Sequence, residues 1–228
     1  MSILNDTVLE SNKYLKLNFN GGDLSSDAGL LLIKEFAYKL GFVNILKKEF
    51  KTSDSASFRF HKDDENLWQV IYQILGAYFE DDCADELTND PVLTAILSKK
   101  VLASQPTLSR FFNRMDEATL NQFYDLMRRF RKVVYSVKKP EMLLLDLDST
   151  LLNTYGHQEG EGFNFHYQNR GYHPLVCYDG ITGDLLKIEL RNGTDYSSTG
   201  VMEFLQPLLD EFGAEYPDIP LLLRGDSG

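Results

Sequence analysis

Two apolar segments of this chain each end on aspartate residues, and these aspartates are its main candidates for chemistry. Residues 143–150 read Leu-Leu-Leu-Asp-Leu-Asp-Ser-Thr, and residues 221–228 read Leu-Leu-Leu-Arg-Gly-Asp-Ser-Gly. Each apolar run has the length of a buried β-strand. Carboxylates at the tips of neighbouring strands provide the oxygen ligands that hard divalent cations such as Mg²⁺ or Mn²⁺ prefer. The candidate metal ligands are therefore Asp146, Asp148 and Asp226, although an aspartate at a strand end also commonly begins a turn.

Asp146 and Asp148 are two residues apart on a predicted strand, so both side chains face the same side of the sheet. One chemistry that uses this spacing is that of haloacid-dehalogenase-like phosphatases, whose D-x-D-x-T pattern matches residues 146–150. In that reaction Asp146 is the nucleophile that forms an aspartyl phosphate, Asp148 is the acid and base, and Asp226 is a magnesium ligand.

The second chemistry is two-metal phosphodiester cleavage on a ribonuclease H-like core. Such a core has a first strand that carries an aspartate, two antiparallel strands, a helix, and a parallel strand that ends in a second aspartate. The sequence predicts the same order, with a hairpin over 175–190 and a helix over 198–212 between the strands that end at Asp148 and Asp226. The predicted topology therefore favours the second chemistry.

The elements that must hold these residues divide the chain near Pro140. Apolar residues at helical spacing predict an α-helical region over residues 1–139, and alternating strands and turns follow over residues 140–228. The predicted fold class is α+β, with a helical N-terminal region followed by an incomplete ribonuclease H-like mixed sheet of the retroviral-integrase type. The predicted helices cover about 28–40, 64–78, 92–97, 104–112, 116–134 and 198–212, and the predicted strands cover 143–148, 175–178, 185–190 and 221–226.

Several local features carry more specific expectations. Ser25, Ser26 and Asp27 are predicted to cap the first helix, and Ser197, Ser198 and Thr199 the last. Pro207 is expected to kink or shorten that last helix. Trp68 lies at helical spacing and is assigned to the core, while residues 153–170 are predicted to form a loop with a short strand near 163–167.

Composition and charge place the chain among soluble globular proteins, and we expect it in the cytoplasm. Of its 228 residues, 43% are hydrophobic and 25% charged, and its two cysteines exclude a disulfide framework. No apolar stretch reaches the length of a membrane span, and the start lacks the pattern of a signal peptide. Residues 140–228 contain four basic and fifteen acidic residues and so hold the whole net charge of −11. This excess suits metal binding and disfavours phosphate binding without metal.

A dense basic run near the end of the long predicted helix is the candidate for DNA backbone contact. It consists of Arg128, Arg129, Arg131, Lys132, Lys138 and Lys139. A helix C-terminus also attracts cations through its dipole, so both explanations remain open. Residues 107–113 are a weaker candidate for a recognition helix. His157, His166 and His173 lack a partner at zinc spacing and are interpreted as loop or hydrogen-bonding residues.

Four short motifs follow one another over about 85 residues of the second half. They are D-x-D-x-T at 146–150, G-x-Q-E-G at 156–160, G-Y-x-P-L at 171–175 and R-x-D-S-G at 224–228. In this combination, residues 140–228 resemble the catalytic core of bacterial insertion-sequence transposases of the DDE type. Residues 20–139, including 21–29 and 105–110, resemble the N-terminal region of the same group.

The resemblance implies that Asp148 and Asp226 are the catalytic first two members of an Asp-Asp-Glu triad, with Asp146 as the rival for first place. It further implies Mg²⁺- or Mn²⁺-dependent DNA cleavage and strand transfer at the terminal inverted repeats of an insertion sequence, with target DNA as a second partner. A homo-oligomer near the bacterial nucleoid is expected. Residues 1–139 would serve DNA binding and dimerisation.

The sequence departs from this family pattern at its end, because it stops two residues after Asp226 and offers no third carboxylate. Glu189 and Glu203 come too early in the topology to replace it. The expectation is therefore a fragment or a truncated remnant of a longer transposase, inactive by itself. The alternatives left open are the phosphatase with Asp146 as nucleophile and a non-catalytic protein that only binds DNA.

Overall fold

The computed structural model describes residues 6–22 and 24–225. The chain divides into two compact units, and the boundary between Val133 and Val134 falls within one long helix. None of the described helices combines the length and the apolar character needed to cross a membrane.

The first unit is built mainly from helices. After a two-stranded antiparallel ribbon, its elements follow one another with short connections. The bounds are β1 Thr7–Val8, β2 Lys16–Leu17, α1 Leu30–Lys39, α2 Phe42–Glu49, α3 Asp63–Leu75, α4 Cys83–Glu86, a 3₁₀ turn Leu87–Asn89, α5 Pro91–Leu97, α6 Gln105–Phe112 and α7 Glu117–Val137.

The predicted helices of this unit are confirmed, but the start of α1 is not where its polar residues suggested. Ser25, Ser26 and Asp27 lie in turns before the helix, and no side chain caps its first residue, Leu30. Gly41, with φ of 74°, ends this stretch as predicted, and the chain turns there into α2, which was not predicted from the sequence. Glycine suits this position because it adopts a left-handed conformation at little cost.

Apolar faces of these helices form one core. Trp68 is only 8% exposed and packs there, as predicted. Asp90 fixes the start of α5, because its carboxylate accepts the backbone N–H groups of Val92 and Leu93 while Pro91 occupies the first helical position. The centre of the core is made by the fully buried side chains of Leu46, Phe50, Leu93 and Phe111.

The second unit contains a four-stranded mixed sheet, a smaller three-stranded sheet and one long helix. The large sheet has the order β8-β7-β3-β9, and the small sheet has the order β4-β6-β5. The bounds are β3 Leu143–Ser149, β4 Leu152–Asn153, β5 Gly162–Asn164, β6 Asn169–Tyr172, β7 Leu175–Asp179, β8 Leu185–Glu189, α8 Val201–Glu215 and β9 Leu221–Gly225.

The large sheet has the topology predicted for the beginning of a ribonuclease H-like core. β3 pairs antiparallel with β7, β7 pairs antiparallel with β8, and β9 returns through α8 to lie parallel to β3. The α+β fold class is thus confirmed. Leu143 and Leu145 of β3 are buried against Phe204 and Leu208 of α8, which fixes the face that α8 covers.

The side-chain cap predicted for α8 and its predicted shortening at Pro207 were wrong, while the kink expected as the alternative at Pro207 stays a prediction. α8 begins after Gly200, which has φ of 71°, and Ser197, Ser198 and Thr199 make no side-chain capping bond to it. α8 also runs past Pro207 to Glu215, so the proline does not shorten it. The core contacts of Phe204, Leu208 and Phe212 hold the helix together on both sides of the proline.

The segment predicted to be a loop contains the three strands of the small sheet. Its β5 overlaps the short strand expected near 163–167, whereas β4 and β6 were not predicted. Close backbone packing explains the glycines in this sheet. A Cβ atom on Gly171 would lie 2.1 Å from the Leu152 carbonyl oxygen, and one on Gly193 would lie 2.2 Å from the Gly171 carbonyl oxygen.

Candidate functional site

The register of β3 and β9 brings the two aspartate-bearing segments together. In this parallel pair Asp146 lies opposite Arg224, and Leu147 lies opposite Gly225. Asp148 follows on β3, where Val176 of β7 is its partner on the other side. Asp226, the residue after Gly225, lies outside the described residues.

Asp146 is engaged in an ion pair across the strands. The Arg224 side chain donates from Nε to Oδ1 over 2.8 Å and from Nη2 to Oδ2, so both carboxylate oxygens are held by one guanidinium. This contact lowers the pKa of the Asp146 carboxyl below its ordinary value. Asp146 is therefore negatively charged and already paired.

Asp148 has a different environment from Asp146. Its carboxylate is exposed, and its Oδ1 accepts the backbone N–H of Ser149 over 2.7 Å. Asp148 borders a shallow cleft with Arg224 and Gly225 at the end of β9, and it also lines a larger cavity. A carboxylate can accept about four hydrogen bonds or coordinate cations, so Asp148 retains most of its capacity.

The larger cavity beside Asp148 has a volume of about 540 Å³. Its lining mixes polar and aromatic residues and comes from the end of β3, the turn between β5 and β6, and the segment before α8. The lining residues are Asp148, Ser149, Asn164, Phe165, His166, Tyr167, His173, Thr194, Asp195, Tyr196, Ser197 and Ser198.

Two buried polar side chains hold the walls of this cavity in place, and neither of them was singled out from the sequence. Asn164, 4% exposed, accepts the N–H groups of His166 and Tyr167 and donates to the Gly193 carbonyl oxygen. Arg191 donates to four backbone carbonyl oxygens: those of His173, Tyr196, Ser197 and Thr199. The sequence around Asn164 and Arg191 does not indicate these contacts, because only the folded backbone brings the carbonyl oxygens into reach of the two side chains.

The G-x-Q-E-G segment is organised within the small sheet and does not contribute to the lining of the cavity. Glu161, next to this motif, accepts from Thr154 and pairs with Arg170 over 3.0 Å and with His157 over 3.6 Å. The Gly160 carbonyl oxygen accepts from Asn192. These contacts assign the segment a role in the local fold, and His157 is a loop residue as interpreted.

Outside the basic run, every cationic side chain between residues 140 and 225 contacts a protein group. Arg170 pairs with Glu161, Lys187 donates to the Phe204 carbonyl oxygen, Arg191 holds the carbonyl oxygens described above, and Arg224 pairs with Asp146. The acidic second unit therefore has few cations to offer an incoming phosphate.

The residues of the basic run are divided between the two units, and their side chains differ in exposure. In the first unit Arg131 is only 8% exposed, and Arg129 forms an ion pair with Glu49 over 3.5 Å. Arg128 is half-buried and Lys132 is exposed. Lys138 and Lys139 lie in the second unit and are exposed.

The residues that the structure describes include no group of three or more His, Cys, Asp or Glu side chains able to hold a metal ion. Of the three predicted metal ligands, Asp146 is paired with arginine, Asp148 is exposed, and Asp226 lies beyond the described range. His166 and His173 line the cavity beside Asp148, whereas sequence spacing had given them no role there.

Comparison with known proteins gives one family match that covers nearly the whole chain. A family model described as "Transposase DDE domain group 1" matches residues 8–228. Among curated proteins, no sequence matches significantly. A cryo-EM structure of the piggyBac transposase synaptic complex with hairpin DNA shows 13% identity and a TM-score of 0.35, over 84% of this chain and 50% of that one. The chain thus spans half the length of that transposase, and a likeness this weak supports no conclusion about function.

Proposed function

Because this chain belongs to the transposase DDE domain group 1 family, we propose that it carries the beginning of a DNA transposase catalytic centre. The reaction is divalent-metal-dependent phosphodiester cleavage, followed by strand transfer. The substrates are the terminal inverted repeats of an insertion sequence and a target duplex. A homo-oligomer bound to DNA of the bacterial nucleoid, in the cytoplasm, is the expected assembly.

The observation that carries this proposal is the different state of the two aspartates on β3. Both oxygens of Asp146 are paired with Arg224, whereas Asp148 is exposed at the end of the strand beside a cleft and a cavity. We therefore assign Asp148 as the first catalytic carboxylate. Asp226, which directly follows Gly225 on the neighbouring parallel strand, is the proposed second one. We no longer assign Asp146 as a metal ligand, and its pair with Arg224 connects β9 to β3.

The residues present fit a divalent cation, since an exposed carboxylate with spare acceptor capacity is the donor that Mg²⁺ and Mn²⁺ prefer. Asp148 and Asp226 would hold the ion. When bound, such an ion supplies Lewis-acid stabilisation of the charge that develops on a phosphodiester oxygen.

The charges of the second unit explain why a cation is needed for DNA to approach. Residues 140–228 contain fifteen acidic and four basic residues, and the basic side chains described are all engaged within the protein. Asp148 thus repels phosphate unless its charge is neutralised. DNA backbone contacts are assigned to the basic run, principally to its exposed members Lys132, Lys138 and Lys139.

The phosphatase alternative requires Asp146 to be a free nucleophile. Its pairing through both oxygens with Arg224 weighs against that role, because the attacking oxygen must be available to phosphorus. The non-catalytic alternative, a protein that binds DNA ends without cutting them, is a distinct outcome of the experiment below.

The test is strand cleavage of a duplex that carries the ends of the genomic element, by protein produced from the complete native gene. Asp148→Asn should reduce cleavage by about 100- to 1,000-fold and leave DNA retention in a mobility-shift assay intact. Asp184→Asn, which removes the same charge from the turn after β7, is the matched control and should cleave normally. Full activity of Asp148→Asn would refute the assignment, and DNA retention without any cleavage by the unmodified protein would favour the binding-only alternative.

A further inference from the structure

His173 is a buried titratable residue to which the proposed function assigns no role. It lies between β6 and β7, is 3% exposed and lines the cavity that Asp148 borders. Its backbone N–H donates to the Arg191 carbonyl oxygen, and its own carbonyl oxygen accepts from the Arg191 side chain. The position of the imidazole is therefore fixed by the same residue that holds the cavity wall.

The hydrogen bond at Nδ1 determines how the imidazole is protonated. Nδ1 lies 2.8 Å from the Asp195 carbonyl oxygen. A carbonyl oxygen only accepts hydrogen bonds, so Nδ1 must carry the proton. In the neutral ring Nε2 then has a free lone pair and is an acceptor.

Nε2 has no hydrogen-bond partner among the residues that the structure describes, although it is buried. A buried polar atom without a partner is unfavourable, so packing alone does not account for a histidine at this position. The Tyr167 ring packs edge-on against the imidazole at a centroid distance of 5.8 Å and is itself 41% exposed. Tyr167 also lines the cavity, so the proposed access to Nε2 requires movement of a side chain at the cavity wall.

The chemistry of the cavity restricts what Nε2 can bind. Among the described residues, the lining contains two carboxylates, those of Asp148 and Asp195, and no lysine or arginine. Such a lining repels a phosphate group that arrives without a cation, whereas it accepts a neutral O–H donor. The reaction proposed above brings one such donor to Asp148, namely the hydroxyl that attacks the phosphodiester.

We propose that His173 is a catalytic residue whose Nε2 accepts a hydrogen bond from the attacking hydroxyl, which is water in cleavage and a DNA 3′-hydroxyl in strand transfer. The inference rests on the proposed function, since it takes the nucleophile from it. His173 orients the oxygen lone pair toward phosphorus. As the new O–P bond forms, the bond from phosphorus to the leaving DNA oxygen breaks, the proton of the attacking hydroxyl passes to solvent water, and the leaving oxygen takes up a proton from water. Asp195 contributes only its backbone carbonyl oxygen, which sets the tautomer.

Two substitutions separate this role from a structural one. His173→Asn keeps a donor near Nδ1 for the Asp195 carbonyl oxygen but has no acceptor at the Nε2 position. His173→Gln places an amide oxygen near the Nε2 position but lacks the Nδ1 donor. If the inference holds, stability follows the donor, with Asn above Gln, whereas single-turnover cleavage follows the acceptor, with Gln above Asn.

We expect His173→Asn to slow single-turnover cleavage up to about 100-fold, with unchanged DNA affinity and unchanged affinity for Mn²⁺. Cleavage that follows stability, with Asn equal to or above Gln, would overturn the inference, and so would a loss of Mn²⁺ affinity, which would make His173 a metal ligand. Nitrogen-15 NMR of the unmodified protein checks the tautomer independently of either variant, because a proton on Nε2 instead of Nδ1 would also overturn it.

Asp148→Asn, measured beside these variants, keeps the two proposals distinguishable. Loss of cleavage in Asp148→Asn with full cleavage in His173→Asn means that the inference about His173 fails while the transposase assignment stands. Full cleavage in Asp148→Asn means that the assignment of the centre itself fails.

Discussion

At the scale of single residues, the central result is that two aspartates of one motif have different environments. D-x-D places both side chains on one face of β3, and the sequence alone leaves their roles open. Their environments differ because of β9, where Arg224 lies directly opposite Asp146 and pairs with the Asp146 carboxylate. The R-x-D-S-G motif thus supplies both the arginine that engages Asp146 and the proposed second carboxylate.

The Asp146–Arg224 pair predicts a pH dependence of stability. The pKa of Asp146 is lowered in the folded state, so the pair stabilises the protein above the ordinary carboxyl pKa of about 3.9. That contribution is lost as pH falls through the lowered folded value. In urea titrations, the difference in unfolding midpoint between the unmodified protein and Asp146→Asn should shrink between pH 7 and pH 3.

The effect should be small and sensitive to salt, because both side chains are substantially exposed. Arg170→Gln, which breaks the ion pair to the nearly buried Glu161 side chain of the same unit, serves as a comparison. A midpoint difference between the unmodified protein and Asp146→Asn that stays constant down to pH 3 would contradict the pairing.

At the scale of elements, the small sheet depends on close approach of backbone segments. Gly171 in β6 faces the Leu152 carbonyl oxygen of β4 so closely that a Cβ would lie 2.1 Å from it. This sheet carries the turn that forms one wall of the cavity, so its packing matters for the site as well as for stability.

Gly171→Ala should therefore destabilise the protein by at least about 1–3 kcal/mol, since rigid backbone atoms must move to admit the methyl group. Gly213→Ala in α8 is the matched control. A Cβ there meets nothing within 4 Å, and alanine in a helix gains up to about 1 kcal/mol over glycine. Chemical denaturation measures the free energy of unfolding of both variants. Equal stability of the two would contradict the described packing.

Elements with a clear apolar pattern were predictable from the sequence. Residues 143–145 form an apolar run of strand length that stops on an aspartate, and the Gly-containing turn at 180–183 joins β7 and β8, so the large sheet was predicted with its topology. The small sheet was missed because its strands have two to four residues and little apolar character. Its pairing depends on glycine contacts between distant segments, which no local pattern reveals. Arg191 was missed for the same reason.

At the scale of the whole molecule, charge is distributed unevenly along the chain. Residues 1–139 are balanced, with nineteen basic and nineteen acidic residues, while residues 140–228 carry the net charge of −11. If this acidic unit acts on DNA as proposed, cations must lower its charge before DNA can approach. We therefore expect metal binding to be a property of the folded protein even in the absence of DNA.

Mg²⁺ or Mn²⁺ should raise the melting temperature of the protein, because a ligand that binds only the folded state stabilises it, by about 2.7 kcal/mol at 100 times its Kd. Differential scanning fluorimetry with and without the metal measures the shift. Asp148→Asn should reduce the shift, whereas Asp184→Asn should retain it. Equal shifts in all three proteins would indicate general screening of the acidic surface instead of a site.

The most direct test of the central claim, that Asp148 and not Asp146 is the first metal-binding carboxylate, is a change of metal preference in cleavage by protein from the complete native gene. A cysteine thiolate binds Mg²⁺ poorly and softer ions such as Mn²⁺ better. Asp148→Cys should therefore be inactive in Mg²⁺ and regain cleavage in Mn²⁺, while Asp146→Cys should show the same relative activity in both ions. Rescue by Mn²⁺ of Asp146→Cys, with none for Asp148→Cys, would contradict the account.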